Sequence, residues 1–161
     1  IPFSSIMIPL YRVTQALKIK NSLIGLSFVY SGLGVSMAVF LYHGFVKSIP
    51  KEMEEAATID GCSSFQIFLK IVFPLLKPIT ATITITNVLW IWNDFLLPLI
   101  MISKNKKYTL LLSTNTLFGQ YSSDWTAILS ALILAALPVI IFYAFFQKSI
   151  LKGISDGAIK G

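Results

Sequence analysis

The segment EAATIDG at residues 55–61, followed after nine residues by IVFP at residues 71–74, is a polar stretch between long apolar runs. Uncharged and mostly apolar sequence precedes it from 21 to 46 and appears again from 125 to 147, and a third apolar run from 78 to 103 has Asp94 as its only charged residue. Each run is long enough to cross a bilayer, because a spanning helix needs about 20 residues. The arrangement predicts a membrane protein whose longest polar stretch lies between two spans.

Composition supports this interpretation. Apolar residues make up 55% of the chain and charged residues only 12%, well below the roughly 25% usual in soluble domains. Backbone polar groups in hydrocarbon must bond internally, and barrel strands would alternate over roughly ten residues, so runs of this length predict helices. A soluble protein with the same sequence would have to bury three apolar helices with little amphipathic cover. We therefore expect an all-α, polytopic transmembrane bundle.

We predict one transmembrane domain over residues 1–161, with spans at about 23–46, 79–102 and 126–147. Residues 1–11 resemble the end of another apolar segment, so we expect a fragment that lacks earlier spans. The Lys and Arg residues divide into seven on the side of the polar stretch and six on the other, if the spans alternate. This division does not decide the orientation in the membrane.

The polar stretch itself, residues 48–77, predicts two short helices. Pro50 lies near the start of the first helix, and glutamates follow in the turns where the helix dipole favours negative charge. Met53, Ala56 and Ala57 share one narrow apolar face. Gly61 ends this helix, because glycine takes the left-handed conformation at low cost.

A second amphipathic helix is predicted after the glycine. Its apolar residues recur at i, i+3, i+4 and i+7, namely Phe65, Phe68, Leu69 and Val72. Ser63 or Ser64 can cap its start, and Pro74 limits its continuation. Amphipathicity alone leaves two alternatives open, a rigid protrusion that contacts another protein and a hairpin that lies on the lipid headgroups.

The residue identities favour the first alternative. This segment resembles the cytoplasmic signature loop of ABC importer permeases, which reads Glu-Ala-Ala, three residues, Gly, nine residues, Ile, one residue, Leu-Pro. The matching positions here are Glu55, Ala56, Ala57, Gly61, Ile71 and Pro74. Phe73 stands where the family usually has leucine, a substitution that keeps an apolar residue beside the proline.

The resemblance extends beyond the loop. The segment WNDFLLPL at 92–99 and the ending GAIKG at 157–161 are similar to the sugar and glycerol-phosphate subgroup of these permeases, as is SIPKE at 48–52. The matches run from residue 48 to the last residue. The chain therefore resembles the carboxyl-terminal portion of such a permease.

The resemblance implies a type I (MetI-like) ABC importer permease fold with a short helix-turn-helix coupling loop. It implies a transport subunit that is not an enzyme and needs no cofactor, in the inner membrane of a bacterium or archaeon. The expected partners are ABC ATPase subunits that hydrolyse ATP, a second and different permease subunit, an extracytoplasmic solute-binding protein and the lipid bilayer. The cargo would be a sugar or a related solute.

In such a permease the signature loop is cytoplasmic and docks on the ATPase. We therefore predict that Glu55 offers a carboxylate to a cationic side chain of the ATPase and that Ala56 and Ala57 allow close approach. Gly61 would set the elbow angle. The full predicted coupling interface is Glu55, Ala56, Ala57, Asp60, Gly61, Ile71 and Pro74.

Asp94 is the one carboxylate within an apolar run, and charge inside a membrane raises a functional hypothesis. With Trp92 and Asn93 it forms a candidate pathway or gate. It lies about 24 Å along the predicted span from Pro78, near the interface, so a local helix cap is the other alternative. A different function, an ion- or proton-coupled carrier or channel, would place Asp94 in the pathway. The sequence predicts no catalytic residues, no metal site and no nucleic-acid partner.

Overall fold

The computed structural model describes residues 2–117 and 124–158, with side chains described as far as 146. All regular elements in those residues are helices, which confirms the all-α prediction for this part of the chain. The α-helices are α1 (Phe3–Ala16), α2 (Leu23–Val46), α3 (Lys51–Ile59), α4 (Ser64–Ile67), α5 (Phe73–Leu75), α6 (Lys77–Trp92), α7 (Leu96–Met101), α8 (Leu110–Thr114) and α9 (Trp125–Ala158). A π-helical turn, Phe68–Val72, joins α4 to α5, and short 3₁₀ turns cover Asn105–Lys107 and Asn115–Leu117.

Two helices in the described residues are long and apolar enough to cross a membrane. They are Leu23–Val46 and the Trp125–Phe146 portion of α9. A third crossing is available if the segment Ser64–Leu75 and helix Lys77–Trp92, which meet at a bend of 64°, together form one broken span. Most side chains of the two long helices are exposed, as expected for surfaces that face lipid or another subunit.

The sequence predicted one continuous span at 79–102, and the structure differs. Helix α6 ends at Trp92, and α7 begins only at Leu96. Pro98 gives the physical reason, because it has no N–H to donate to the carbonyl of Asp94 and its ring would collide with that carbonyl in a continuous helix. The break at 93–95 moves Asp94 from the middle of a helix to the start of a new one.

The chain divides into two compact units. One unit comprises Ile1–Leu33 and Leu89–Tyr143, and the other comprises Gly34–Val88 and Ala144–Gly161. The first has a core of seven buried residues from α2, from α7 and its end, and from α8: Leu26, Val29, Tyr30, Leu97, Met101, Ile102 and Leu112. The second has a smaller core formed by Ile49, Leu76, Ile79 and Ile83. The predicted coupling loop belongs entirely to the second unit.

Candidate functional site

The predicted coupling loop, residues 48–77, packs on an apolar base at its two ends. Ile49 precedes α3, Leu76 lies between α5 and α6, and both are buried against Ile79 and Ile83 of α6. Side chains near the end of α2 and in the π-turn pack on the same cluster: Ala38, Leu41, Tyr42, Phe45 and Val72. Both ends of the loop are thus held by one packed cluster, so the loop is connected to its two flanking helices by more than the backbone.

Polar contacts near this base join the two flanking helices of the second unit. The Tyr42 hydroxyl donates to Thr80 Oγ1 at 2.9 Å, and Thr80 Oγ1 in turn donates to the Leu76 carbonyl at 2.8 Å. Further along, a Cβ added to Gly34 would lie 2.9 Å from Asn87 Oδ1. Glycine at 34 therefore leaves room for the Asn87 side chain between α2 and α6, and a larger residue would require that side chain to move.

Helix α3 ends at the elbow that the sequence predicted. The N–H groups of Asp60 and Gly61 donate to the carbonyls of Ala56 and Thr58, and that of Cys62 donates to Ala57. Gly61 has φ +79°, a value that L side chains rarely adopt. The backbone conformation therefore favours a glycine at this position, whereas crowding does not, since nothing lies within 4 Å of an added Cβ.

The second helix of the loop begins with a capping box. Ser63 Oγ accepts from the Gln66 N–H at 3.4 Å, and Gln66 Oε1 accepts from the Ser63 N–H at 2.9 Å. This reciprocal pair satisfies two N–H groups that the helix leaves free at its start. Sequence reasoning named Ser63 as a possible cap but missed Gln66, although the spacing Ser-x-x-Gln is the signal for such a box.

The π-turn accommodates Pro74, the last residue of the signature pattern. In an α-helix the ring of Pro74 would collide with the Lys70 carbonyl, and Pro74 has no N–H to offer that carbonyl. The structure avoids the collision because the Phe73 N–H donates to the Phe68 carbonyl, five residues back instead of four. π-turns are rare in proteins, and those that do occur are often found at functional sites.

A groove of about 370 Å³ separates α3 from the segment that follows the elbow. Glu54 and Thr58 of α3 line one side. The opposite side is lined by Ser64, Ile67, Phe68 and Val72. Sequence reasoning missed Glu54 and Thr58, which share a helix face at i and i+4, because the family pattern directs attention to Glu55.

The residues predicted for the coupling interface do not all face outward. Glu55, Ala56, Asp60, Gly61 and Pro74 are exposed, Ile71 is half-buried, and Ala57 is buried with 6% of its surface accessible. Ala57 is therefore small because the loop packs around it, whereas Ala56 remains available for close approach by a partner.

Two large apolar side chains near the elbow are strongly exposed, and the sequence analysis did not assign them to the interface. Ile59 lies at the end of α3 with 86% of its surface exposed, and Phe65 lies in the first turn of α4 with 70% exposed. They flank Gly61 in the sequence. The exposed surface of the elbow is thus apolar near its tip and carries the Glu55 carboxylate on α3.

The second candidate group, around Asp94, has a different geometry. The Asp94 carboxylate accepts from the Leu96 N–H at 3.0 Å and from the Tyr30 hydroxyl at 2.9 Å. The Tyr30 ring meets the Trp90 ring edge-on, with centroids 5.5 Å apart. These contacts correspond to the local-cap alternative, since Asp94 caps α7 and ties it to α2.

The neighbours of Asp94 are also used locally. Trp92 Nε1 donates to the Ala135 carbonyl of α9 at 3.1 Å, and Asn93 Nδ2 donates at 2.8 Å to the Leu89 carbonyl of α6, the helix that it follows. The sequence gives no local signal for the partners Tyr30 and Ala135, because both are distant along the chain. Trp92 and Asn93 both remain exposed, whereas Asp94 is half-buried.

Comparison with known proteins identifies the family of this chain. The model of the binding-protein-dependent transport system inner membrane component matches residues 1–156. The chain is 44% identical over 160 residues to the probable starch degradation products transport system permease protein AmyC of Thermoanaerobacterium thermosulfurigenes, covering 99% of this chain and 58% of that protein.

Two further relatives are similarly close. The multiple sugar-binding transport system permease protein MsmG of Streptococcus mutans is 40% identical over 162 residues, covering 99% of this chain and 58% of the relative. The melibiose/raffinose/stachyose import permease protein MelC of Bacillus subtilis is 39% identical over 162 residues, covering 100% and 59%. The chain thus spans less than three fifths of the length of each of these relatives.

The family match confirms the resemblance that rested on the signature loop and on the segments around it. It also confirms the type I permease fold, and the family consists of membrane transport components whose ATPase is a separate subunit. The chain belongs to the family of binding-protein-dependent transport system inner membrane components.

Proposed function

We propose that this chain is part of the permease subunit of an ATP-driven importer of sugars or related solutes. The sugar class is supported by relatives named for starch degradation products, multiple sugars and melibiose, raffinose or stachyose. The subunit would lie in the inner membrane with ABC ATPase subunits, a second and different permease subunit and an external solute-binding protein.

The observation that carries the proposal is the rigid coupling loop. It has a glycine elbow at Gly61, a capping box at Ser63 and a base that is buried against α6. A loop built in this way moves as a body, and a packed base passes that motion to the helices on either side. A hairpin that only rests on lipid headgroups needs no such base.

The chemistry of the elbow fits a protein partner. Glu55 would pair with a cationic side chain of the ATPase, and Ala56 would let the two surfaces approach closely. The exposed Ile59 and Phe65 would enter an apolar cleft of the ATPase, which removes them from water. Glu54 and Thr58 would receive a side chain of the partner in the groove beside them.

The proposed mechanism is a switch between two packed states. Closure of the ATPase dimer would draw the elbow with it, and the attached helices would swing so that the pathway opens alternately to the two sides of the membrane. Gly61, Asp60, Ile71 and Pro74 would act by holding the elbow and the π-turn in shape.

The test is purification of the full-length protein with whatever associates with it, followed by reconstitution into vesicles. We expect an ATPase to co-purify and uptake of a labelled maltooligosaccharide or raffinose-type sugar to require ATP, with the proton gradient collapsed. Uptake that instead needed the proton gradient and no ATPase would favour the carrier in which Asp94 lies in the pathway.

A further inference from the structure

Two tryptophans near the end of α6 are almost equally exposed but differ in their contacts. Trp90 has 41% of its surface exposed, and Trp92 has 39%. The Trp92 Nε1 group donates to the Ala135 carbonyl, which ties this side chain to α9. Within residues 2–117 and 124–146, by contrast, the indole N–H of Trp90 meets no hydrogen-bond acceptor. Trp90 therefore combines an exposed ring with a donor that is still free in the described part of the chain.

The Trp90 ring is braced by a buried tyrosine. It meets the Tyr30 ring edge-on, with the two planes at 86°. Tyr30 belongs to the core of the first unit, and its hydroxyl donates to the Asp94 carboxylate at 2.9 Å. Because Asp94 also caps α7, the ring rests on a support that is fixed at both ends. The indole is thus held in one orientation without being covered.

Asn93 places an amide on the same side of α6 as the Trp90 ring. The Asn93 N–H donates to the Leu89 carbonyl at 3.2 Å, so helical spacing continues to this residue, and residues three apart share a helix face. Asn93 Nδ2 uses one proton for the same carbonyl, and Asn93 Oδ1 accepts from no group in the described residues. Trp92 lies about 200° around the helix from Trp90.

The depth of these groups argues against a surface that faces lipid. Trp90 follows Pro78 by 12 positions, which places it about 18 Å along the predicted span, inside a hydrocarbon core of about 30 Å. Tryptophans of the aromatic belt lie at the two interfaces instead. Unpaired N–H and amide groups are costly in hydrocarbon, and polar residues at such depths face the bundle interior or a water-filled cavity.

We propose that Trp90 and Asn93 form a sugar-contact subsite, in which a pyranose ring stacks on the indole and its hydroxyls bond to the indole N–H and the Asn93 amide. The inference rests on the proposed function, because it takes the cargo to be a sugar. One side of a pyranose ring presents C–H groups that pack on an aromatic face, and the hydroxyls around its edge both donate and accept hydrogen bonds. Trp90 and Asn93 supply that combination, an aromatic face beside free donors and a free acceptor.

The experiment measures equilibrium binding of labelled raffinose and labelled maltotriose to the assembled full-length complex in nanodiscs, without the solute-binding protein. The variants are Trp90→Leu, Trp90→Phe and Asn93→Ala. The matched control is Trp92→Phe, since Trp92 is almost equally exposed on the other side of the helix. We expect the dissociation constant of the sugar that binds to rise about fivefold to tenfold for Trp90→Leu and about twofold to threefold for Trp90→Phe and Asn93→Ala. The control should leave it unchanged.

The melting temperature of each variant separates a loss of folding from a loss of affinity. If Trp90→Leu does not assemble, Trp90→Phe and Asn93→Ala decide the outcome. An unaltered dissociation constant in the Trp90 and Asn93 variants would overturn the inference, and so would an equal rise in Trp92→Phe.

The unmodified complex distinguishes the subsite from the proposed function. If it binds neither sugar alone but still imports one of them with ATP and the solute-binding protein, the subsite is rejected and the proposed function stands. If it shows no ATP-dependent import of any sugar, the proposed function is rejected and the subsite with it.

Discussion

Gly61 and Gly44 form a matched pair at the scale of single residues. An added Cβ would meet nothing within 4 Å at either position, but only Gly61 has a positive φ. We expect Gly61→Ala to destabilise the coupling loop by about 1 kcal/mol, since the left-handed conformation costs an L residue roughly 1–2 kcal/mol. Gly44→Ala should be neutral or slightly stabilising, because it lies within α2.

The readout for this pair is the number of solute molecules imported per ATP hydrolysed in vesicles. Gly61→Val should lower that ratio several-fold while the protein still inserts. Gly61→Asn should retain most of the wild-type ratio, because asparagine tolerates a positive φ. Unchanged uptake per ATP in Gly61→Val would show that the elbow has no role in coupling.

Asp94 offers a second prediction at this scale. Asp94→Ala removes the cap of α7 and leaves the Tyr30 hydroxyl without its acceptor, so we expect a loss of about 2 kcal/mol in the free energy of unfolding. Asp94→Asn keeps one oxygen acceptor and should cost about half as much. Thermal unfolding of the solubilised complex measures both.

Asn93→Ala is the control for Asp94, because in the described structure the Asn93 side chain bonds only to a carbonyl in the last turn of the preceding helix, α6. Its effect should stay within about 0.5 kcal/mol. If Asp94→Ala instead left the melting temperature unaltered and changed which sugars are imported, Asp94 would be a pathway residue and the capping role would be secondary.

At the scale of elements, the π-turn before Pro74 decides the direction in which the coupling loop leaves α6. Pro74→Ala supplies an N–H that can bond to the Lys70 carbonyl, so we expect the turn to return to α-helical spacing and to rotate the residues before it by about 100°. Uptake per ATP should fall, since the elbow would no longer meet the ATPase at the same angle.

Pro78→Ala is the control, because Pro78 lies in the first turn of α6, where a missing N–H costs little.

Cys62 is the only cysteine in the sequence and is partly exposed, so it can carry one spin label. A second spin label, attached to the Thr86→Cys variant, allows the distance between Cys62 and position 86 of α6 to be measured. A shift of several ångströms with Pro74→Ala and none with Pro78→Ala would support the prediction, and equal distances in both would refute it.

At the scale of the whole molecule, one truncation in each unit distinguishes an effect on stability from an effect on coupling. Leu76 belongs to the apolar base of the loop, and Leu97 belongs to the core of the other unit. Both are buried, so truncation to alanine should cost each about 2 kcal/mol or more. Only Leu76→Ala should also lower the solute imported per ATP. An equal fall in that ratio for both variants would show that the base has no special part in coupling.

Several features of this protein follow from local sequence alone. Apolar runs of more than 20 residues produce helices because the membrane leaves the backbone no other partner, and α2 occupies the predicted residues. The elbow also follows, because Gly61 can take a positive φ and Ser63 can cap the helix after it. The spacing of the signature pattern is likewise enough to indicate the family.

Tertiary structure decided the rest, because the contacts involved are not local. Tyr30 and Asp94 are 64 positions apart, and the hydrogen bond between them, which ties α2 to the start of α7, has no signal in the local sequence. Ala57 is buried and Glu54 lines a groove, because the packing of α3 against α4 determines which face of α3 is covered. Helical spacing states which residues share a face, but only the packing of distant segments determines what that face meets.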